Sequence, residues 1–262
     1  MQFVKRFPLL SYFATTYLIS WGIAVPFMLA ARGVLNVDLP HWFERIAAFG
    51  PFAAAIIILL LTQGSKGVRM LCTSLVRWRV APAWLIFAVL SPFLVLLVAL
   101  AMQGESERFF STTVFSSLSG AALFELVVLG GLLQGLGEEP GWRGFALPVL
   151  RHRFGPLLAT LALFPLWLCW HAPMFLSRPE FTLGSLLGFS LGILAASIWC
   201  TFIYDATRSV LMVVIWHALI NIARGLALAV STAAFLALGQ VVTVVAIIVI
   251  IYWLIKRPAC YS

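Results

Sequence analysis

Two adjacent carboxylates, Glu138 and Glu139, stand five and four residues before an arginine in Glu138-Glu139-Pro140-Gly141-Trp142-Arg143-Gly144-Phe145, and the chain around them is almost entirely hydrocarbon. Charged residues are 10% of the 262, and only nine are acidic, so a side-by-side pair at the end of an apolar run stands out. Ionisable groups at membrane depth are costly and are functional candidates by default. Two of the four histidines also fall inside apolar runs. His171 lies in Trp167-Leu168-Cys169-Trp170-His171-Ala172-Pro173, and His217 in Trp216-His217-Ala218-Leu219-Ile220-Asn221.

A carboxylate with two histidines can activate water, as a general base or by holding a metal ion. His217 and Asn221, at i and i+4, share one helix face that Arg224 extends at i+7. Their donors suit a developing oxyanion. Glu138, His171, His217 and Asn221 therefore carry the chemistry of amide hydrolysis by water. Neighbours on a helix point about 100° apart, so Glu138 and Glu139 cannot face the same spot. Glu139 pairs with Arg143 at i+4 if the helix continues through Pro140. Pro140 also disfavours helical geometry at Glu139 and can begin a new segment instead. Either way Glu139 and Arg143 support, and Glu138 is left for chemistry. Plainer readings stand beside these: a helix-end ion pair, a histidine bonded to a backbone carbonyl, and an interhelical polar network. Pro173 frees the carbonyl of Cys169 and makes room for water beside His171. Glu125 is expected to be a further buried acid, whose plain role is a hydrogen bond to another span and whose sharper one is a proton or substrate path.

The elements that must position these residues are membrane spans. The chain is 63% hydrophobic, with a mean hydropathy of +1.06. That leaves too little polar surface for a soluble domain. Runs of about 20 apolar residues fall at about 9–30, 43–62, 82–102, 118–138, 157–176, 182–204, 209–228 and 236–255. The expected fold is an all-α polytopic bundle of about eight transmembrane helices, with residues 1–262 forming a single transmembrane helical domain. Segment 68–78 suits a short interfacial helix. Span four is expected to end at the carboxylate pair, followed by a basic loop with Arg143, Arg151, His152 and Arg153. Gly184, Gly188, Gly192 and Ala196, like Gly131 and Gly135, have the spacing of close helix packing within the bundle.

With the N-terminus inside, Lys5, Arg6, Lys66, Arg69, Arg77, Arg79, Arg143, Arg151, Arg153, Arg208, Lys256 and Arg257 share one side, 12 of the 17 basic residues. This positive-inside bias puts both termini in the cytoplasm and accounts for the net charge of +8 without nucleic acid as a partner. Lys5-Arg6 precedes a run too long for a cleaved signal, so the first span is expected to be retained. Cys72, Cys169, Cys200 and Cys260 have neither metal nor disulfide spacing and read as packing residues. Cys260 is third from the end, whereas a prenylation box places cysteine fourth.

The three polar segments resemble the CPBP family of intramembrane proteases, also called the CAAX protease or Abi family, with its Rce1-like prenyl-protein proteases. Its EExxxR motif matches Glu138-Glu139-Pro140-Gly141-Trp142-Arg143. Its FxxxH motif has Trp167 before His171, a mild departure. Its HxxxN motif is His217 to Asn221. The resemblance covers about residues 118–225. It implies an intramembrane endopeptidase in which Glu138 and His171 activate water, His217 and Asn221 stabilise the oxyanion, and Glu139 and Arg143 support the site. It leaves open a divalent metal such as zinc, which Glu138, His171 and His217 would hold. The sequence has no HExxH arrangement that requires one. Expected partners are the lipid bilayer and a peptide or membrane-protein substrate, and the expected place is a prokaryotic cytoplasmic (inner) membrane. Two other readings compete. One is a non-catalytic membrane factor of the same family, in bacteriocin immunity or partner binding. The other is a proton-coupled transporter, although inverted repeats are absent.

Overall fold

Where no water can reach the backbone, each segment must satisfy its own N–H and C=O groups, so long apolar runs fold as helices. The structure, a computed structural model, describes residues 2–111, 118–178, 182–256 and 260; Arg257 and the rest of the C-terminal tail apart from Cys260 lie outside the described residues. The described residues form helices and no strands. Helix α1 is Pro8–Ala31, α2 Trp42–Gln63, α3 Ser65–Leu75, α4 Pro82–Met102 and α5 Gly120–Arg151. Then come α6 Pro156–Trp170, α7 Ala172–Leu176, α8 Leu183–Thr207, α9 Val210–Val230 and α10 Thr232–Lys256. Seven of them are long and apolar enough to cross a membrane. The remaining expected span is broken: α6 has 15 residues and α7 continues after a turn at His171.

Helix α9 is the axis of the packing. More than half of its span is buried inside the protein, the largest share of any, and it touches α4, α5, α8 and α10. Indole rings fill the spaces between helices. Trp142, Trp167, Trp170 and Trp216 are among the largest fully buried side chains, and Trp199 stacks on Trp216 with centroids 5.1 Å apart. Large planar rings bury much area with few rotatable bonds.

The fourth span departs from expectation. Helix α5 does not stop at Glu138 but runs 32 residues, to Arg151. Arg143 and Arg151 lie in this helix and are buried, not in a basic loop, so neither is a loop charge for the orientation count. Two stretches of α5, Glu125–Leu132 and Trp142–Ala146, are π-helical. Pro140 removes one N–H and crowds the carbonyl four residues back, and a widened turn just beyond it lets the chain continue without breaking. The buried charges survive because each has a partner: Arg151 pairs with Asp205 at 3.0 Å, and Arg143 with Glu139.

Close approach of α2 to α5 is set by glycine. A Cβ on Gly137 would lie 2.5 Å from the Ala48 carbonyl oxygen, and one on Gly141 would meet the Pro51 carbonyl and the Tyr12 hydroxyl. Gly131 and Gly135 likewise meet Ile222 and Val214 of α9, as expected of a packing stripe. The stripe on α8 does not: Gly184 meets only its own cap residue Thr182, and Gly188 and Gly192 have nothing within 4 Å. Their face is turned away from neighbouring helices, so spacing alone misassigned it to bundle packing. Gly141→Ala is expected to lower stability by about 1–3 kcal/mol through overpacking against backbone. Gly188→Ala should instead be neutral or stabilising by up to about 1 kcal/mol. Thermal unfolding of the two purified variants in one detergent separates them, and equal midpoints would contradict the close crossing.

Three smaller expectations change as well. Glu125 does bond to another span, through Arg45 Nη2 at 2.8 Å, but its side chain is 43% exposed and not buried. Of the cysteines only Cys200 is buried; Cys72, Cys169 and Cys260 are exposed, so they are not packing residues. The interfacial helix forms at Ser65–Leu75, a few residues earlier than 68–78, with Gly67 and Leu71 turned inward and Lys66 and Arg69 outward.

Candidate functional site

On α5, consecutive residues point in different directions, and the two carboxylates find different partners. Glu139, with no exposed surface, accepts from Arg143 Nη1 at 3.0 Å and from His217 Nδ1 at 2.6 Å, both through Oε1. Helix α5 therefore continues through Pro140 in the register that makes i,i+4 pairing work. Arg143 also donates to Ser197 Oγ on α8 at 3.3 Å, and its guanidinium carbon lies 4.1 Å from the centroid of the Trp167 ring. Glu139 Oε2 and Arg143 Nε make no hydrogen bond to a described residue, so the pair is fastened at one oxygen.

Glu138 is 2% exposed and takes a hydrogen bond from the indole Nε1 of Trp167 at 2.8 Å. Trp167 is the hub of the site. Its ring centroid is 5.8 Å from His171 and 5.9 Å from His217. Helix α6 unwinds just beyond it. The His171 N–H bonds to Leu168, three residues back, and the carbonyl of Trp167 is taken instead by the His171 ring, Nδ1 at 2.8 Å. Pro173 has no N–H for Cys169, so the break falls at the expected place.

These bonds choose the tautomers. A backbone carbonyl can only accept, so His171 Nδ1 carries the proton and Nε2 is its basic nitrogen. His217 Nδ1–H is likewise committed to the carboxylate of Glu139, leaving Nε2 for other work. Asn221 donates from Nδ2 to the Gly130 carbonyl in the first π-helical stretch, at 3.1 Å, which leaves its second amide hydrogen. Arg224, on the same α9 face, lies over the Phe235 ring of α10 at 5.4 Å.

The structure thus brings Glu138, Glu139, Arg143, His171 and His217 around one indole. It does not pair Glu138 with either histidine by a hydrogen bond, and the carboxylate that His217 meets is Glu139. Among the described residues, no group of three His, Cys, Asp or Glu side chains is placed to hold a metal ion. Glu138, His171 and His217 are not drawn together as three ligands in this arrangement, and the bonds that the two histidines make occupy Nδ1 and leave Nε2 of each uncommitted.

Two contributions were not anticipated. Trp167 stood in its motif only as an aromatic substitute, yet its N–H donates to Glu138. Helix α1 and its C-cap residue Arg32 supply donors to the broken span: Tyr17 to the Leu166 carbonyl, Trp21 Nε1 to the Trp170 carbonyl at 3.1 Å, and Arg32 to the carbonyls of Leu176 and Arg178. Carbonyls near a helix break need such partners in an apolar medium. Trp167→Phe retains a ring face for Arg143 and removes the donor to Glu138. A hydrogen bond to a charged group is worth about 1.5–3 kcal/mol, so stability to thermal unfolding should drop by about that much and any Glu138-dependent activity should fall by roughly 10–100-fold. An unaltered rate would mean that the indole bond does not tune Glu138.

No curated protein matches this chain. Residues 120–223 match the Rce1-like family, described as type II CAAX prenyl endopeptidase Rce1-like. That is a protease family, and with the apolar helices it supports a membrane-protease type of function with peptide substrates, in an integral membrane protein. All three motifs lie inside the matched residues, and the segment that carries the Glu139–His217 and Glu138–Trp167 bonds is the Rce1-like segment of this chain.

Proposed function

We propose that this protein is an intramembrane endopeptidase that hydrolyses a peptide bond with water activated by Glu138 and His171. The observation that carries the reading is the convergence of the three motif segments on Trp167, with Glu138 bonded to its N–H and both histidine rings about 6 Å from its centre. Glu138 takes the proton of water as the oxygen attacks the amide carbonyl carbon, and His171 Nε2 helps orient that water. The negative charge then sits on the carbonyl oxygen, where His217, donating from Nε2 when its ring is charged, and the second amide hydrogen of Asn221 stabilise it. Glu138 returns the proton to the departing amine as the C–N bond breaks. Glu139 and Arg143 hold His217 and Trp167 in place. No step is routed through a metal.

We place the site in a cytoplasm-facing cavity of one transmembrane domain, residues 1–262, with its core at about 118–225. Both termini then lie on the cytoplasmic side of a prokaryotic inner membrane. The bias of loop lysines and arginines supports this even with Arg143 and Arg151 removed from the count. The test is a comparison of peptide termini in membranes that express the wild-type chain or His171→Ala. Termini found only with the wild type identify the substrates, and identical sets from equally abundant proteins would end the protease reading.

A further inference from the structure

Far from the carboxylates along the chain, one stretch gathers positive charge with no countercharge of its own. Between Arg45 and Glu105 the sequence contains no acidic residue, and its four basic residues are Lys66, Arg69, Arg77 and Arg79. All four are exposed, and among the described residues none of them forms an ion pair. Asp205, the acid at this end of the bundle, is engaged by Arg151.

The stretch is held firmly. Gly67 and Leu71 bury one face of α3. Ser74 Oγ donates to the Arg208 carbonyl at 3.2 Å and accepts from the Val210 N–H at 3.1 Å. Ser209 Oγ donates to the carbonyl of Arg77 at 2.6 Å. The backbone between α3 and α4 is thereby stapled to the start of α9. It borders a cleft of about 290 Å³ lined by Thr73, Val76, Arg77, Trp78 and Arg79. Trp78 is 64% exposed, and the Arg79 guanidinium sits 5.3 Å from its ring centre.

An indole that no helix covers, beside guanidinium groups that no carboxylate covers, matches the boundary between acyl chains and headgroups. Tryptophan concentrates at that depth. Arginine presents a planar fork that fits two phosphate oxygens, and each cation near an anionic leaflet adds its own attraction. An amphipathic helix with an outward basic face belongs at the same level. We propose that this cleft binds the headgroup of an anionic phospholipid. Its phosphodiester lies between Arg77 and Arg79, and Trp78 and Val76 meet the upper acyl chains. Lys66 and Arg69, on the outward face of α3, add long-range attraction. The proposal is independent of the catalytic reading, because none of these residues belongs to the site.

The experiment is native mass spectrometry of the full chain, released from detergent with equal amounts of phosphatidylglycerol and phosphatidylcholine. The wild type should retain phosphatidylglycerol in preference. Arg77→Gln/Arg79→Gln should weaken that retention about 25-fold, the product of two surface charges worth about fivefold each, and weaken phosphatidylcholine retention less, because its choline cation offsets the charge of the same phosphodiester. Arg77→Lys/Arg79→Lys should fall between, since charge without the fork gives attraction without bidentate contact. Both positions are exposed, so the folded protein should persist. Equal retention of phosphatidylglycerol by wild type and the glutamine variant would overturn the proposal. So would equal affinity for the two lipids, or displacement of the lipid by an equal concentration of inorganic phosphate.

Discussion

Glu138→Gln should cut peptide-bond hydrolysis by about 10²–10⁴-fold, the usual contribution of a general base, with little change in the amount of folded protein. The amide keeps an acceptor oxygen for Trp167 Nε1, now 2.8 Å from the carboxylate, and differs from the native side chain by little in volume. What it loses is the ability to take a proton from water and return it to an amine. The effect should appear in kcat more than in KM, because a proton acceptor acts on the transition state and not on ground-state binding. Once substrates are identified from their termini, the purified protein in nanodiscs can be assayed on one of them. A Glu138→Gln variant that cleaves at the native rate would remove this carboxylate from the chemistry. The neighbouring site would then need another base, and the reading as a glutamate-dependent peptidase would fall with it.

Arg143→Met should be the most destabilising single change in the site, by about 3–5 kcal/mol, because it leaves a buried carboxylate without its cation. Glu139 and Arg143 are both completely buried, and their ion pair spans 3.0 Å. Methionine fills much of the same space, so loss of packing is not the main term. Glu139→Gln/Arg143→Met, which removes both charges, should recover much of the loss, since replacing a buried pair with neutral groups is often close to neutral. Thermal unfolding of the wild type, both single variants and the double variant gives the coupling energy directly. Additive effects would mean that the two side chains do not depend on each other. The double variant should still be slow, because His217 loses the carboxylate that accepts from its Nδ1.

Much of this architecture could be read before any coordinates. The positions of the spans followed from apolar length, since a helix must satisfy its backbone within itself in lipid. The ends of α1, α4, α9 and α10 fall within a few residues of the expected ones. The pairing of Glu139 with Arg143 followed from the local i,i+4 geometry of a helix, given that Pro140 did not stop it. Where the reading went wrong, it treated a charge or a proline as an end. Helix α5 passes through both, because a widened turn follows the proline and because a buried partner meets each charge. Hydropathy reports neither.

Residue types and their spacing along the chain were enough to specify an all-helical membrane protein and to single out Glu138, Glu139, Arg143, His171, His217 and Asn221 as candidates for its chemistry. Those properties depend on local backbone geometry and on the cost of polar groups in hydrocarbon, which act within a few residues. Which carboxylate meets His217, which donor meets Glu138, and which helix steadies the break at His171 depend on how helices are rotated and how closely they cross. Glycine on α5 lets α2 approach, and the indole of Trp167 fills the gap between α5, α6 and α9. The same spacing of small residues packs on α5 and faces open space on α8, because a stripe on one helix does not say what lies opposite. Contacts between residues tens of positions apart are decided by the packing of the whole bundle. That is why the two adjacent glutamates, alike in sequence, end with different partners.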